Sequence, residues 1–123
     1  MGIIGPGSSV GPFIVPVFGE KIENYGGTEL TVAFRIEGQR VVGRGVAKVK
    51  AAQTYAAGEV LLTLPVGMWP AGPLEPNFYT GLSTATLYAV NVNPANGHVV
   101  MGAPATLSAG APIYLEPFNF SLT

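Results

Sequence analysis

Glycine and proline interrupt this chain so often, seventeen and eleven times in 123 residues, that no stretch is left for a long helix. Proline removes a backbone donor and glycine supplies turn conformations, so a chain punctuated this way is built from short strands and tight reversals. The hydrophobic pattern agrees. Leu30, Val32, Phe34 and Ile36 alternate with Glu29, Thr31, Ala33, Arg35 and Glu37, the period-two signature of a strand buried on one face. After Gly38 the alternation resumes from Arg40 to Lys50, with Arg40, Arg44, Lys48 and Lys50 on one side and Val41, Ala47 and Val49 on the other. A β-hairpin turning at Glu37-Gly38-Gln39 is expected.

The same reading extends along the chain. Phe13 to Phe18 reads as a short strand that Pro16 confines to an edge or an end. Val46 to Ala57 reads as strand then loop, and Gly58 to Leu64 as a strand stopped by Pro65. Thr84 to Val92 and His98 to Met101 flank Asn96-Gly97, the strongest local turn signal, and a last strand between Ala111 and Leu122 is broken by Pro117. The fold expected is all-β: a compact antiparallel β-sandwich, jelly-roll-like, of about seven or eight short strands. Residues 13–123 form a single domain of a size that supports one core, and residues 1–12, rich in Gly, Pro and Ser, form an extended N-terminal arm that needs a neighbour to order it.

Charge is scarce. Only 11% of residues are charged and 48% are hydrophobic, against about 25% charged in an ordinary soluble domain. Apolar surface left uncovered on that scale marks a contact with another chain, so assembly into a homo-oligomer is expected. The run from Val60 to Leu74 is cut by Pro65, Gly67, Pro70, Gly72 and Pro73 and makes no transmembrane helix. The first residues carry no basic region and no continuous apolar run, so synthesis in a cytoplasm is expected. A net charge of −1 gives no general attraction to nucleic acid or to a membrane surface.

The inventory for catalysis is thin. There is no Cys, no Asp and one His, and no Gly-x-Ser-x-Gly elbow, so the usual nucleophile-and-base arrangements cannot be assembled. His98, next to the Asn96-Gly97 turn, reads as an exposed loop residue. Glu20 and Glu23 sit in a polar loop, and a Glu-based enzyme would need a cleft holding two carboxylates. No catalytic residue, cofactor or metal is expected. The candidates are contact residues instead: Ile3, Ile4 and Val10 in the arm, Phe13 where it meets the body, and Trp69, which either caps an end of the core or meets a partner. The basic stripe Arg40, Arg44, Lys48 and Lys50 reads as a docking face for an acidic partner or as a solvated face paired with Glu29 or Glu37.

One phrase is more particular. Gly58-Glu59-Val60-Leu61-Leu62-Thr63-Leu64-Pro65-Val66-Gly67-Met68-Trp69-Pro70 follows a basic alternating strand, Arg40 to Lys50, and precedes an aromatic one at Asn77-Phe78-Tyr79. An apolar strand from Leu87 to Val92, the Asn96-Gly97 turn and a closing Ile113-Tyr114-Leu115-Glu116-Pro117-Phe118-Asn119-Phe120 complete the order. This order, over about residues 30–123, resembles the trimeric jelly-roll modules of bacteriophage decoration, head-fibre and tail-fibre tip proteins. The resemblance implies a virion structural protein assembled in the host cytoplasm: a trimeric capsid decoration, or cement, protein bound to the major capsid protein or another virion protein. A chain beginning at Met without a fibre shaft favours that stand-alone role. The alternative is a tail-tip or fibre head that binds a host-surface glycan through Phe78, Tyr79 and Tyr88.

Overall fold

Every regular element among the described residues is a strand, as the spacing of glycine and proline requires. The structure, a computed structural model, describes residues 10–72, 74–81, 87–115 and 119–122, the side chains of 74–81 and 87–89 excepted. Its thirteen strands are β1 (Val17–Phe18), β2 (Ile22–Asn24), β3 (Ala33–Glu37), β4 (Arg40–Arg44), β5 (Val46–Val49), β6 (Gln53–Tyr55), β7 (Val60–Thr63), β8 (Leu74–Gly81), β9 (Leu87–Val92), β10 (His98–Met101), β11 (Ala105–Leu107), β12 (Pro112–Tyr114) and β13 (Asn119–Ser121). They form an eight-stranded sheet of order β1-β7-β10-β9-β8-β12-β5-β2, a three-stranded sheet β13-β4-β3 and a two-stranded ribbon β11-β6. The pairings are antiparallel throughout, and the protein is a compact antiparallel β-sandwich. Phe34, Val41 and Phe120 of the small sheet, Leu62, Val90, Val99 and Ile113 of the large one, and Tyr55 and Leu107 of the ribbon belong to one buried cluster.

The hairpin at Gly38 is present, with Glu37 opposite Arg40 and Gly38-Gln39 as its turn. The expected strand from Leu30 begins only at Ala33. Leu30 and Thr31 are exposed and outside the ladder, because the Leu30 carbonyl accepts from the Val46 N–H and the Val32 N–H donates to Asn24 Oδ1.

There are more strands than expected because two runs in the sequence are divided between sheets and because β2, which holds Glu23, β6 and β11 form in segments not read as strands. Arg40 to Lys50 is not one strand. It breaks at Gly45 into β4 in the small sheet and β5 in the large one, and their antiparallel partners β13 and β12 are divided between the sheets in the same way. The register differs by one residue between Val42↔Asn119 and Val46↔Tyr114. Corners of sandwiches are commonly turned by such irregularities. Gly45 stands at the bend with φ +93°. A Cβ there would lie 2.5 Å from the Thr31 carbonyl oxygen, and the Gly45 carbonyl accepts from the Leu115 N–H at 3.0 Å.

Pro16 divides the run Phe13 to Phe18 in a similar way. Before it, Val10 bridges Glu37 and Ile14 bridges Phe34, along the free edge of β3. After it, β1 pairs with β7 at the edge of the large sheet. Residues 10–18 therefore strap the two sheet edges together, which is the edge position that proline tolerates. Residues 1–9, including Ile3 and Ile4, lie outside the described residues.

The Asn96-Gly97 signal marks a real reversal, wider than a two-residue turn. The loop runs from Asn93 to Gly97, closed by Gly97 N–H to the Asn93 carbonyl at 2.8 Å and Asn93 N–H to the His98 carbonyl at 2.9 Å. Only Gly97 takes positive φ, +72°, while Asn96 instead accepts from the His98 N–H through Oδ1. His98 itself opens β10 opposite Thr63 and is half-buried, not a loop residue.

Gly45→Ala is expected to lower stability by about 3 kcal/mol or more, since both the backbone conformation and the space against Thr31 forbid a side chain. Urea unfolding checks this: the midpoint falls while the slope stays constant.

Candidate functional site

The outward face of the small sheet gathers more of the candidate residues than any other surface. Register places Glu37 opposite Arg40, Arg35 opposite Val42 and Ala33 opposite Arg44 on one side, and Ile36–Val41 and Phe34–Gly43 on the core side. The strap adds an aromatic ring to the outward side. Phe13 is half-buried, with the Arg44 guanidinium carbon 3.9 Å and the Arg35 guanidinium carbon 4.5 Å from its ring centre. Each cation is attracted to the negative face of the ring, a contribution of about 0.5–1 kcal/mol at a partly exposed site. Three hydrogen bonds fasten the strap beneath: Gly11 N–H to the Ile36 carbonyl, and Ile14 and Phe34 exchanging both of theirs, at 2.7–2.9 Å.

The charges on this face are unequally satisfied. Arg35 is tied to Glu37 on its own strand, Nε and Nη2 both reaching Oε2 at 2.6 and 2.5 Å. Glu37 is thereby taken, and the pairing expected between it and the stripe does not form. Arg40, exposed, donates through Nε to Asn119 Oδ1 at 2.8 Å. Arg44 has no carboxylate among the described residues, and its Nε is buried without a hydrogen bond.

The basic stripe is thus corrected. Arg40 and Arg44 belong to the small sheet, whereas Lys48 lies in β5 of the large sheet, its ammonium 5.7 Å from the Tyr25 ring. Trp69 is elsewhere again. It is half-buried against the core, donates through Nε1 to the Leu64 carbonyl at 3.1 Å and lies so close to Gly97 that a Cβ there would fall 2.1 Å from Nε1. After β7 the chain turns at Pro65, and Met68 and Pro70 return to the interior while Val66 stays 86% exposed. Trp69 caps one end of the core.

Along the strap Val10, Ile14, Val15 and Val17 are all exposed, Val15 to 62% and Val17 to 71%. Val15 and Val17 were not among the contact candidates although Pro16 between them already marks an edge strand, because alternation there does not say which side chains an edge leaves in water. Arg35 also escaped, being counted as ordinary alternation.

A second feature is a groove of about 420 Å³ lined by Gly19, Glu20, Lys21, Glu59 and Val60. Lys21 pairs with Glu59 at 2.6 Å, donates to the Thr54 carbonyl at 2.8 Å and lies 5.1 Å from the Tyr55 ring centre. The hydrogen bond from Lys21 holds the Glu59 carboxyl below the usual carboxylate range, partial desolvation opposes this, and the Ala56 N–H reinforces it. Two carboxylates share this groove, as a Glu-based enzyme would need. Yet Glu59 is occupied at both oxygens, Oε2 by Lys21 and Oε1 by the Ala56 N–H, so what the groove presents is an ion pair. Among the described residues, no cluster of three or more His, Cys, Asp or Glu is placed to hold a metal ion, and no helix is long and apolar enough to cross a membrane.

No protein-family model matches the chain, and neither a curated protein nor a solved structure does.

Two outcomes are expected. Phe13→Ala should cost about 1–3 kcal/mol and loosen the strap, seen as faster amide exchange at Gly11 and Ile14 than at Val41. Glu59 binds its proton less readily folded than unfolded, so the unfolded chain takes up more protons as pH falls through the carboxylate range. The stability it contributes is full above the unfolded value of about 4.3 and is lost as pH drops through the lowered folded value. Glu59→Gln should flatten that part of the stability–pH curve, measured by urea midpoints.

Proposed function

We propose that this chain is a bacteriophage virion structural protein, a capsid decoration protein that assembles as a homotrimer and holds shell subunits together. The observation that carries the proposal is the row of exposed apolar side chains on the strap, Val10, Ile14, Val15 and Val17, in a chain only 11% charged. Such a row loses its contact with water when another chain covers it, and burying two valines at about 1.5–3 kcal/mol each makes a useful core for an interface.

The phage assignment and the trimer are supported by the order of features that resembles decoration and fibre-tip modules. The phrase at its centre has a physical role that suits a rigid building block: the chain leaves β7 at Pro65 and returns to seal the core with Met68 and Trp69. A protein that binds only the assembled shell stabilises it by mass action and requires no chemistry of its own. The receptor-binding alternative rests on Phe78, Tyr79 and Tyr88, whose side chains lie outside the described ones.

Sedimentation of the full-length protein, alone and with undecorated capsids of the phage, tests the proposal. A trimer that co-sediments with capsids at high copy is the expected result, with Val15→Ser/Val17→Ser shifted towards monomer and released from the shell. A trimer that ignores capsids would overturn the decoration role and favour receptor binding. A stable monomer would overturn assembly altogether.

A further inference from the structure

The outward face of the small sheet holds an excess of fixed positive charge over the carboxylates that the described residues place beside it. Arg35, Arg40 and Arg44 share it with one carboxylate, Glu37, and that carboxylate is committed to Arg35. Arg40 and Arg44 remain as cations without an anionic partner among the described residues, one exposed and the other half-buried.

Two features separate this face from an ordinary solvated one. Arg44 is not free to swing into solvent: it is stacked on Phe13, and its Nε is buried without a hydrogen bond. A guanidinium held in place loses less conformational entropy on binding than a mobile lysine, and its planar fork matches a carboxylate. The second feature is the apolar border. Val10 lies beside Glu37 on the strap, and Val15 follows close along it, both more than half exposed.

We infer that this face, centred on Arg40 and Arg44 and edged by Val10 and Val15, docks the acidic surface of another protein chain. The inference rests on the proposed decoration role only for the source of that surface, an acidic patch of the shell. Charge complementarity selects carboxylates, and the valines select a partner that also offers apolar groups, which a nucleic-acid backbone does not. Two arginines without a carboxylate partner among the described residues, in a chain of net charge −1, are also few for a phosphate backbone, whose binding grows with each phosphate neutralised.

The test uses the full-length protein and fluorescent poly-L-glutamate, read by anisotropy in low salt, with a DNA duplex of equal total charge as competitor. Binding to poly-L-glutamate is expected, weakened about tenfold by Arg40→Gln/Arg44→Gln and falling as salt shortens the Debye length to about 8 Å. Arg44→Lys should restore part of the charge but not the full affinity. Lys48→Gln/Lys50→Gln, in and just after β5 of the large sheet, should leave binding within about twofold of the starting value. Arg40→Gln alone, at an exposed side chain, should weaken binding without moving the urea midpoint, which separates a lost contact from a lost fold. No binding to poly-L-glutamate, an equal loss from the lysine pair, or displacement by duplex at lower concentration would each overturn the inference. Capsid co-sedimentation distinguishes the two readings: poly-L-glutamate binding through Arg40 and Arg44 without capsid binding defeats the decoration role and leaves the acidic-partner face standing.

Discussion

At Gly45 a side chain has nowhere to go: the Thr31 carbonyl oxygen stands 2.5 Å from where a Cβ would be, and φ is +93°. That close approach lets the chain pass from β4 in the small sheet, paired with β13, to β5 in the large one, paired with β12. At the bend itself the Leu115 N–H finds the Gly45 carbonyl. The core follows from it. Val41 and Phe120 on one limb and Ala47 and Ile113 on the other face the same buried cluster.

The strap closes the sandwich at another edge by different means. Pro16 ends one stretch of edge pairing and β1 begins the next, so the chain bridges the margins of both sheets in nine residues, 10–18. An uncovered edge on β3 would present unpaired N–H and C=O groups, and the strap satisfies the Ile36 carbonyl and both groups of Phe34. It does so while leaving four aliphatic side chains in water. Edge protection and a row of exposed apolar side chains therefore come from the same residues.

With so few charges, each one is placed where it acts locally. Lys21 and Glu59 join the start of β2 to the start of β7, Arg35 and Glu37 pair along β3, and Phe13 draws Arg35 and Arg44 together despite their like charge. Arg40 and Arg44, which have no carboxylate partner among the described residues, lie on one face of one sheet, next to the exposed valines. In the groove, Lys21 and Glu59 satisfy each other while Glu20 stays exposed beside them.

The local pattern by itself determined the all-β class, the hairpin at Gly38, the strand His98–Met101 and the edge placement of Pro16, because each depends on neighbours within a few residues. Alternation reports only that successive side chains face opposite ways; it does not say which sheet they belong to. So Arg40, Arg44, Lys48 and Lys50 read as one stripe, and only the tertiary structure divided them, since the bend at Gly45 is imposed by the passing backbone of Thr31, fourteen residues upstream. Phe13 stacking on Arg35 and Arg44, and Trp69 sealing against Gly97, were likewise beyond the sequence, being contacts between segments twenty or more residues apart. Composition determined that the chain has apolar surface to hide. Where four of its exposed side chains form a row, Val10, Ile14, Val15 and Val17 on the strap, was decided by which edges the sheets left open.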